Sequence, residues 1–291
     1  MDLVQTLESV IYRLLELAAI QLPLTVESQL IQMIDQEESE IGHMQLSLIK
    51  ENIRLAKELR RPICQDTGLI SFFIKIGENL LNPITIQKII LEVTSKATQT
   101  IPLRPNTVNF FEGNTGTNVG RHLPWIFWEP TSGENLEITV QLKGGGSSNI
   151  AKLVMLEPLE GFQGVKRAII QAVAEAGSKG CPPYTIGIGL GGTEDLAMIL
   201  AKKALLIPAN QRNEQKNFEE LESELLKTLN LLKIGVMGLG FGPSVLDVHI
   251  LDAARHPASL PVGISFSCWA LRYATAQISD NEITYPSHEV T

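Results

Sequence analysis

Aromatic side chains are scarce in this chain of 291 residues: Phe, Trp and Tyr together make 5% of it. Its core must therefore be mostly aliphatic, and 44% apolar residues are enough to bury a sizeable one. Long clusters of Lys and Arg are missing, and the net charge is −8. That argues against nucleic acid or an anionic membrane as partner, because both call for a basic face. If the substrate is an anion, its positive site must be local or supplied by another chain. Only three cysteines occur, Cys64, Cys181 and Cys268, too few and too far apart for a secreted disulfide framework. The start, Met1-Asp2-Leu3-Val4-Gln5, lacks the basic region of a signal peptide. No apolar run approaches the ~20 residues of a membrane span. A reducing cytoplasm, where thiols stay free to act as ligands, is the expected location. Neither an internal repeat nor a flexible linker is seen, which favours one large domain.

What is present begins with helix periodicity. Leu3, Val4, Leu7, Val10, Ile11, Leu14, Leu15 and Ala18 recur at helix spacing, so residues 3–20 form a helix that Pro23 stops. Thr25 is placed to cap a second helix reaching about Gln36. Glu37-Glu38-Ser39-Glu40 reads as a solvated turn, and a third helix covers roughly 43–59. An all-helical cap over residues 1–60 thus precedes a body over 61–278 and a polar tail over 279–291. In the body, Leu69 to Ile76 is strand-like, and Pro83 begins a helix to about Thr98. Residues 101–131 read as irregular, either a functional excursion or a surface loop with turns. Leu136 to Leu142 alternates as a half-buried strand, residues 161–177 form a helix ending at Gly177, and 193–204 and 216–231 are helical. Val245 to Leu251 and Val262 to Ser267 are strands. The pattern is α+β: an N-terminal helical cap followed by mixed β-sheets packed with helices. The tail, from Ser279, is read as poorly ordered or as touching a partner.

Three stretches carry polar chemistry. In Pro62-Ile63-Cys64-Gln65-Asp66-Thr67-Gly68 a thiol, an amide, a carboxylate and a hydroxyl stand in consecutive positions. Lys143-Gly144-Gly145-Gly146-Ser147-Ser148-Asn149 reads either as a flexible turn or as backbone amides presented to an anion. Thr185 to Gly192 formally matches a dinucleotide fingerprint at Gly187, Gly189 and Gly192. That match is discounted, because no second strand ending in an acid follows the next helix. His256, in Arg255-His256-Pro257, is by itself more often a satisfied surface or core group than a catalyst. Three cysteines without CxxC pairs or a fourth member suit neither a structural zinc nor a thiol redox motif. An iron–sulfur cubane held by three thiolates leaves one iron open as a Lewis acid, whereas a disulfide with a spare thiol needs no metal.

The stretches Cys64 to Gly68, Lys143 to Asn149, Gly180-Cys181-Pro182-Pro183, Gly187 to Leu196, and Arg255-His256-Pro257 with Cys268 resemble one family. It is the class I iron–sulfur fumarase and tartrate dehydratase family, and the resemblance is to its alpha subunit, equivalently the N-terminal domain of single-chain members. It covers about residues 45–275. The resemblance implies a [4Fe-4S] cluster held by Cys64, Cys181 and Cys268, with a labile fourth iron. It implies that Gln65, Arg104, the backbone at Gly146 and His256 bind substrate, and that Asp66 is the acid that helps the hydroxyl leave as water. The implied reaction is reversible dehydration of a small dicarboxylic 2-hydroxy acid, malate (giving fumarate) first and tartrate next. Single-chain members continue into a second domain with further arginines, a lysine and a threonine base. The resemblance therefore implies a separate beta subunit that completes the site, in a heterotetramer or homo-oligomer. The alternative is a non-catalytic iron–sulfur or iron-sensing protein on the same fold.

Overall fold

The computed structural model describes residues 3–78, 81–279 and 282–289. Its elements run α1 (Leu3–Ile20), α2 (Leu24–Gln36), α3 (Glu40–Leu59), β1 (Leu69–Ile76), α4 (Pro83–Thr100), β2 (Val108–Asn109), β3 (Gly113–Asn114), β4 (Trp125–Pro130), β5 (Leu136–Lys143), α5 (Gly145–Asn149), β6 (Lys152–Leu156), α6 (Gly161–Ala176), β7 (Tyr184–Gly192), α7 (Glu194–Ala204), α8 (Lys216–Asn230), β8 (Val245–Arg255), β9 (Leu260–Ser267), β10 (Arg272–Ser279) and β11 (Glu282–Thr284). The α+β class is as expected, with three helices ahead of mixed sheets packed with helices. The chain divides into two compact units. The first comprises Met1–Leu24, Glu51–Gly144 and Arg272–Thr291, the second Thr25–Lys50 and Gly145–Leu271. The three N-terminal helices are thereby shared out, with α1 in the first unit and α2 in the second.

The first unit is built on a five-stranded sheet in the order β11-β10-β5-β1-β4. β1 runs antiparallel to β5 and parallel to β4. α4 starts where the sequence dictates: Asn82 Oδ1 accepts from Ile84 N at 2.8 Å, and Pro83 occupies the first turn, where no N–H is needed. α1 packs on α4, β10 and β5. Its Leu7, Ile11 and Leu14 join Ile86 and Ile90 of α4 and Phe72, Ile138, Val140 and Ala274 of the sheet in one aliphatic core. Burying each such side chain contributes about 1.5–3 kcal/mol. Leu3–Gln36 is apolar and long enough to pass for a membrane span, which the absence of a long apolar run had not suggested; the apolar face of α1 lies in this core.

Two expectations for this unit change. The stretch 101–131 is not irregular throughout, because β4 lies within it as an edge strand. Trp125-Ile126-Phe127-Trp128 is apolar on both faces, so it shows no alternation, yet aromatics favour strands. Phe127 stacks on Phe73 of β1 with centroids 4.6 Å apart. The polar tail folds onto its own sheet: β11 pairs with β10, Thr275 N donates to Ser287 Oγ at 2.9 Å, and His288 is buried. Residues 280, 281, 290 and 291 of that tail lie outside the described residues.

The second unit holds a four-stranded sheet in the order β6-β9-β7-β8, with β7 parallel to β8 and antiparallel to β9. β7 contains the glycine run discounted above, and the structure supplies its reason. Ile186, Ile188 and Leu190 face the core made with α6 and α8. Gly187 and Gly189, on the other face of the pleat, admit the α7 backbone: a Cβ at either would collide with the carbonyl oxygen of Ala201 or Ala197. Alternation of glycine and branched aliphatics in β7 therefore encodes close helix-on-sheet packing, and no phosphate is needed to explain it. This unit also buries a charge cluster. Asp247, fully buried, accepts from Arg212 Nη2 at 2.6 and 2.8 Å, from Asn210 N at 2.8 Å and from Val248 N at 2.9 Å. Glu222 beside it accepts from Ile250 N and Asn213 N, and burial pushes its carboxyl above the usual range.

Candidate functional site

The residues singled out by sequence fall in both units, and each unit holds its share in a defined setting. In the first, the loop Cys64–Gly68 leads into β1. Gly68 sits at φ +84°, and a Cβ there would lie 2.7 Å from Lys143 N at the end of β5, so only glycine closes this turn. Asp66 Oδ1 accepts from Gly68 N at 2.9 Å and from Asn106 Nδ2 at 3.3 Å. The next residue, buried Thr67, accepts from Arg104 N at 3.0 Å. Asn118 Nδ2 donates to Arg104 O at 3.0 Å, while Asn118 Oδ1 accepts from Asn106 N at 2.9 Å. The segment carrying Asp66 is thus stitched to the one carrying Arg104, 37 residues away. Gln65 and Arg104 present exposed side chains, while Cys64 and Asp66 are half-buried. An amide, a guanidinium and a fixed carboxylate beside a thiol can bind a carboxylate and exchange a proton with an oxygen.

In the second unit Cys181 takes φ +58°, the left-handed region that a residue with a Cβ enters only at a cost, and its side chain is exposed. Trp269 N donates to Cys181 O at 3.1 Å, so Cys268 is brought beside Cys181. Tyr184 holds this corner from beneath. Its hydroxyl accepts from Gly180 N at 3.0 Å and donates to Gly177 O at 2.7 Å. Burial raises its phenol pKa, with the charges of Cys181 and Cys268 adding to the shift against the Gly180 hydrogen bond. Gly146, in the one-turn helix α5, rims a recess of about 320 Å³ that Lys152 and Lys179 also line. The side chain of His256 is exposed; its Nδ1 accepts from Ala258 N at 3.1 Å, and Arg255 braces the turn through three carbonyl oxygens.

The sequence singled out Asp66, the three cysteines and Arg104, but not the groups bonded around them. Thr67 and Asn118 bond to groups many residues away, and Tyr184 reaches back to Gly177 and Gly180. None of the three cysteines is in a disulfide, and none belongs to an apolar core. Within each unit, among the described residues, no three His, Cys, Asp or Glu side chains are gathered to hold a metal ion. The donors do suit an iron–sulfur group in kind: soft thiols at loop ends, two of them adjacent in the second unit and one in the first.

Comparison with known proteins adds three findings. The family model described as fumarate hydratase (Fumerase) matches residues 8–277. A Methanocaldococcus jannaschii protein, provisionally named an L(+)-tartrate dehydratase subunit alpha, is 44% identical over 94% of this chain and 97% of its own length. The L(+)-tartrate dehydratase alpha subunits of Escherichia coli K12 and Shigella sonnei are each 35% identical over 94% of this chain and 90% of theirs. The match spans both units and every residue singled out above, and so the chain belongs to the fumarate hydratase family of hydro-lyases.

Proposed function

We propose that this chain is the alpha subunit of an iron–sulfur hydro-lyase that reversibly dehydrates a four-carbon 2-hydroxy dicarboxylic acid. The names of the relatives support L(+)-tartrate, and the family's description supports malate and fumarate. The observation that carries the reading is the bonded frame around Asp66 and Arg104, which fixes an acid and presents a carboxylate fork from one loop cluster.

Cys64, Cys181 and Cys268 would hold a [4Fe-4S] cluster. When bound with three thiolate ligands, such a cluster supplies a Lewis-acid iron with no protein ligand. The rest of the chemistry belongs to side chains. Arg104 offers two parallel N–H groups to a substrate carboxylate, and the Gln65 amide donates to the same anion. The Gly146 amide and His256 bind substrate from the second unit. Asp66 gives a proton to the departing hydroxyl and, in the hydration direction, takes it back from water. Its Oδ1 is fixed by Gly68 N and Asn106, which sets the orientation of the carboxylate. The base for the carbon-bound proton, and further positive charge, come from a beta subunit. Cysteines outside any disulfide suit a reducing cytoplasm.

The test is turnover of malate, fumarate and L(+)-tartrate by the complex with its beta subunit, reconstituted without oxygen. Dehydration of at least one is expected, together with visible absorption that air bleaches. A fully loaded complex inert to all three would replace this reading with a non-catalytic iron–sulfur role, and a colourless protein holding zinc would remove the cluster.

A further inference from the structure

Arg272 is a buried charge that nothing above uses. It opens β10, faces Leu142 of β5 in the antiparallel register, and is 2% exposed. Lys143 of β5 in turn faces Leu69 of β1. The start of β10, the end of β5 and the Cys64–Gly68 loop ahead of β1 therefore meet at one end of the first unit's sheet. Two nitrogens of the guanidinium, Nε and Nη1, are buried without a hydrogen-bond partner. Arginine cannot relieve such burial by losing its proton, so a carboxylate has to answer it.

The third nitrogen locates that carboxylate. A Cβ built on Gly144 would stand 3.0 Å from Asp66 Oδ2 and 3.6 Å from Arg272 Nη2. Asp66 Oδ2 and Arg272 Nη2 thus flank a single point, and Gly144 leaves open the space between them. The Asp66 carboxylate is held at Oδ1 by Gly68 N and Asn106, and Oδ2 lies on the other side of that space from the guanidinium. We propose that Arg272 is a positioning residue for Asp66, fixing the rotation of its carboxylate across the gap that Gly144 provides. Arg272, enclosed at the sheet end, does not itself touch substrate. This rests on the proton-transfer role given to Asp66 above and adds to it the group that aims the acid.

The test uses the anaerobically loaded complex with Arg272→Met, Arg272→Lys, Gly144→Ala, Asp66→Asn and the Arg272→Met/Asp66→Asn pair. Arg272→Met should lower kcat about 30- to 100-fold with KM within about threefold, because an interaction acting through the acid is felt mainly in the transition state. Arg272→Lys should recover part of that loss. Gly144→Ala keeps the charge but fills the gap, and should lower kcat about tenfold. In the Asp66→Asn background, Arg272→Met should cost no more than about twofold further, since what it positions is already gone. Multiplying losses in the double variant, or a rise in KM with kcat unchanged, would overturn the proposal. Crystals of the Arg272→Met chain provide a reading independent of turnover: the Asp66 carboxylate should rotate away from its wild-type torsion. An unmoved carboxylate in a fully folded variant overturns the positioning role even if the hydro-lyase reading stands. A rotated carboxylate in a complex inert to every dicarboxylate supports the positioning and removes that reading instead.

Discussion

The two units differ in how a buried guanidinium is met: Arg212 of the second pairs directly with Asp247 at 2.6 Å. In the second, the Asp247 carboxylate accepts from Arg212 and two backbone amides and Glu222 is tied to two more, while Arg212 Nη1 and the His249 ring nitrogens have no hydrogen-bond partner. In the first, Arg272 is as deeply enclosed, yet two of its nitrogens have no partner. A directly bonded ion pair holds a fold together, since removing one member strands the other in a low dielectric. An unsatisfied charge is tolerated where it does something else, and here it stands beside the carboxylate assigned to proton transfer. Neighbouring backbone follows the same division: glycine in β7 admits a helix, while Gly144 keeps a carboxylate and a guanidinium apart.

The sharpest way to break this contrast is Asp66→Asn. Loss of a general acid should reduce kcat by about 10²–10⁴-fold, with the unfolding midpoint nearly unchanged because the amide oxygen can still accept from Gly68 N. A large loss of stability with activity retained would make the Asp66 loop structural. Asp247→Ala should behave inversely. Leaving Arg212 without its carboxylate should remove about 3–5 kcal/mol from denaturant unfolding while kcat per folded complex holds. Gly189→Ala, forcing a methyl against the Ala197 carbonyl, should cost about 1–3 kcal/mol by the same measurement.

The most gradual effect is that of pH on the buried histidines. Burial lowers His249, in the second unit, and His288, in the first, from 6.5 to about 4. Their folded pKa values lie below the unfolded ones, so between about pH 6.5 and 4 the unfolded chain binds more protons. Stability should therefore fall as pH drops through that window, by up to about 1.4 kcal/mol per pH unit for each histidine, and stay flat above it. His249→Gln should flatten the slope of midpoint against pH in the second unit's unfolding, and an unchanged slope would place the acid sensitivity elsewhere.

The sequence by itself determined the elements whose signals are local. Helix spacing located α1, Pro83 located the start of α4, and the polar run Cys64–Gly68 stood out before any contact was known. The dinucleotide match at Gly187 to Gly192 was discounted on the residues after the next helix, although β7 does pair in parallel with β8 beyond α7 and α8. Tertiary structure alone decided what depends on distant partners. β4 is a strand because β1 pairs with it, although its own residues do not alternate. Thr67 became a support for Arg104, and Arg272 a neighbour of Asp66, only when sheet register joined segments 37 and 206 residues apart. Periodicity and capping act over a few residues and can be read along the chain; burial of a charge and the width of a gap exist only once remote strands have paired.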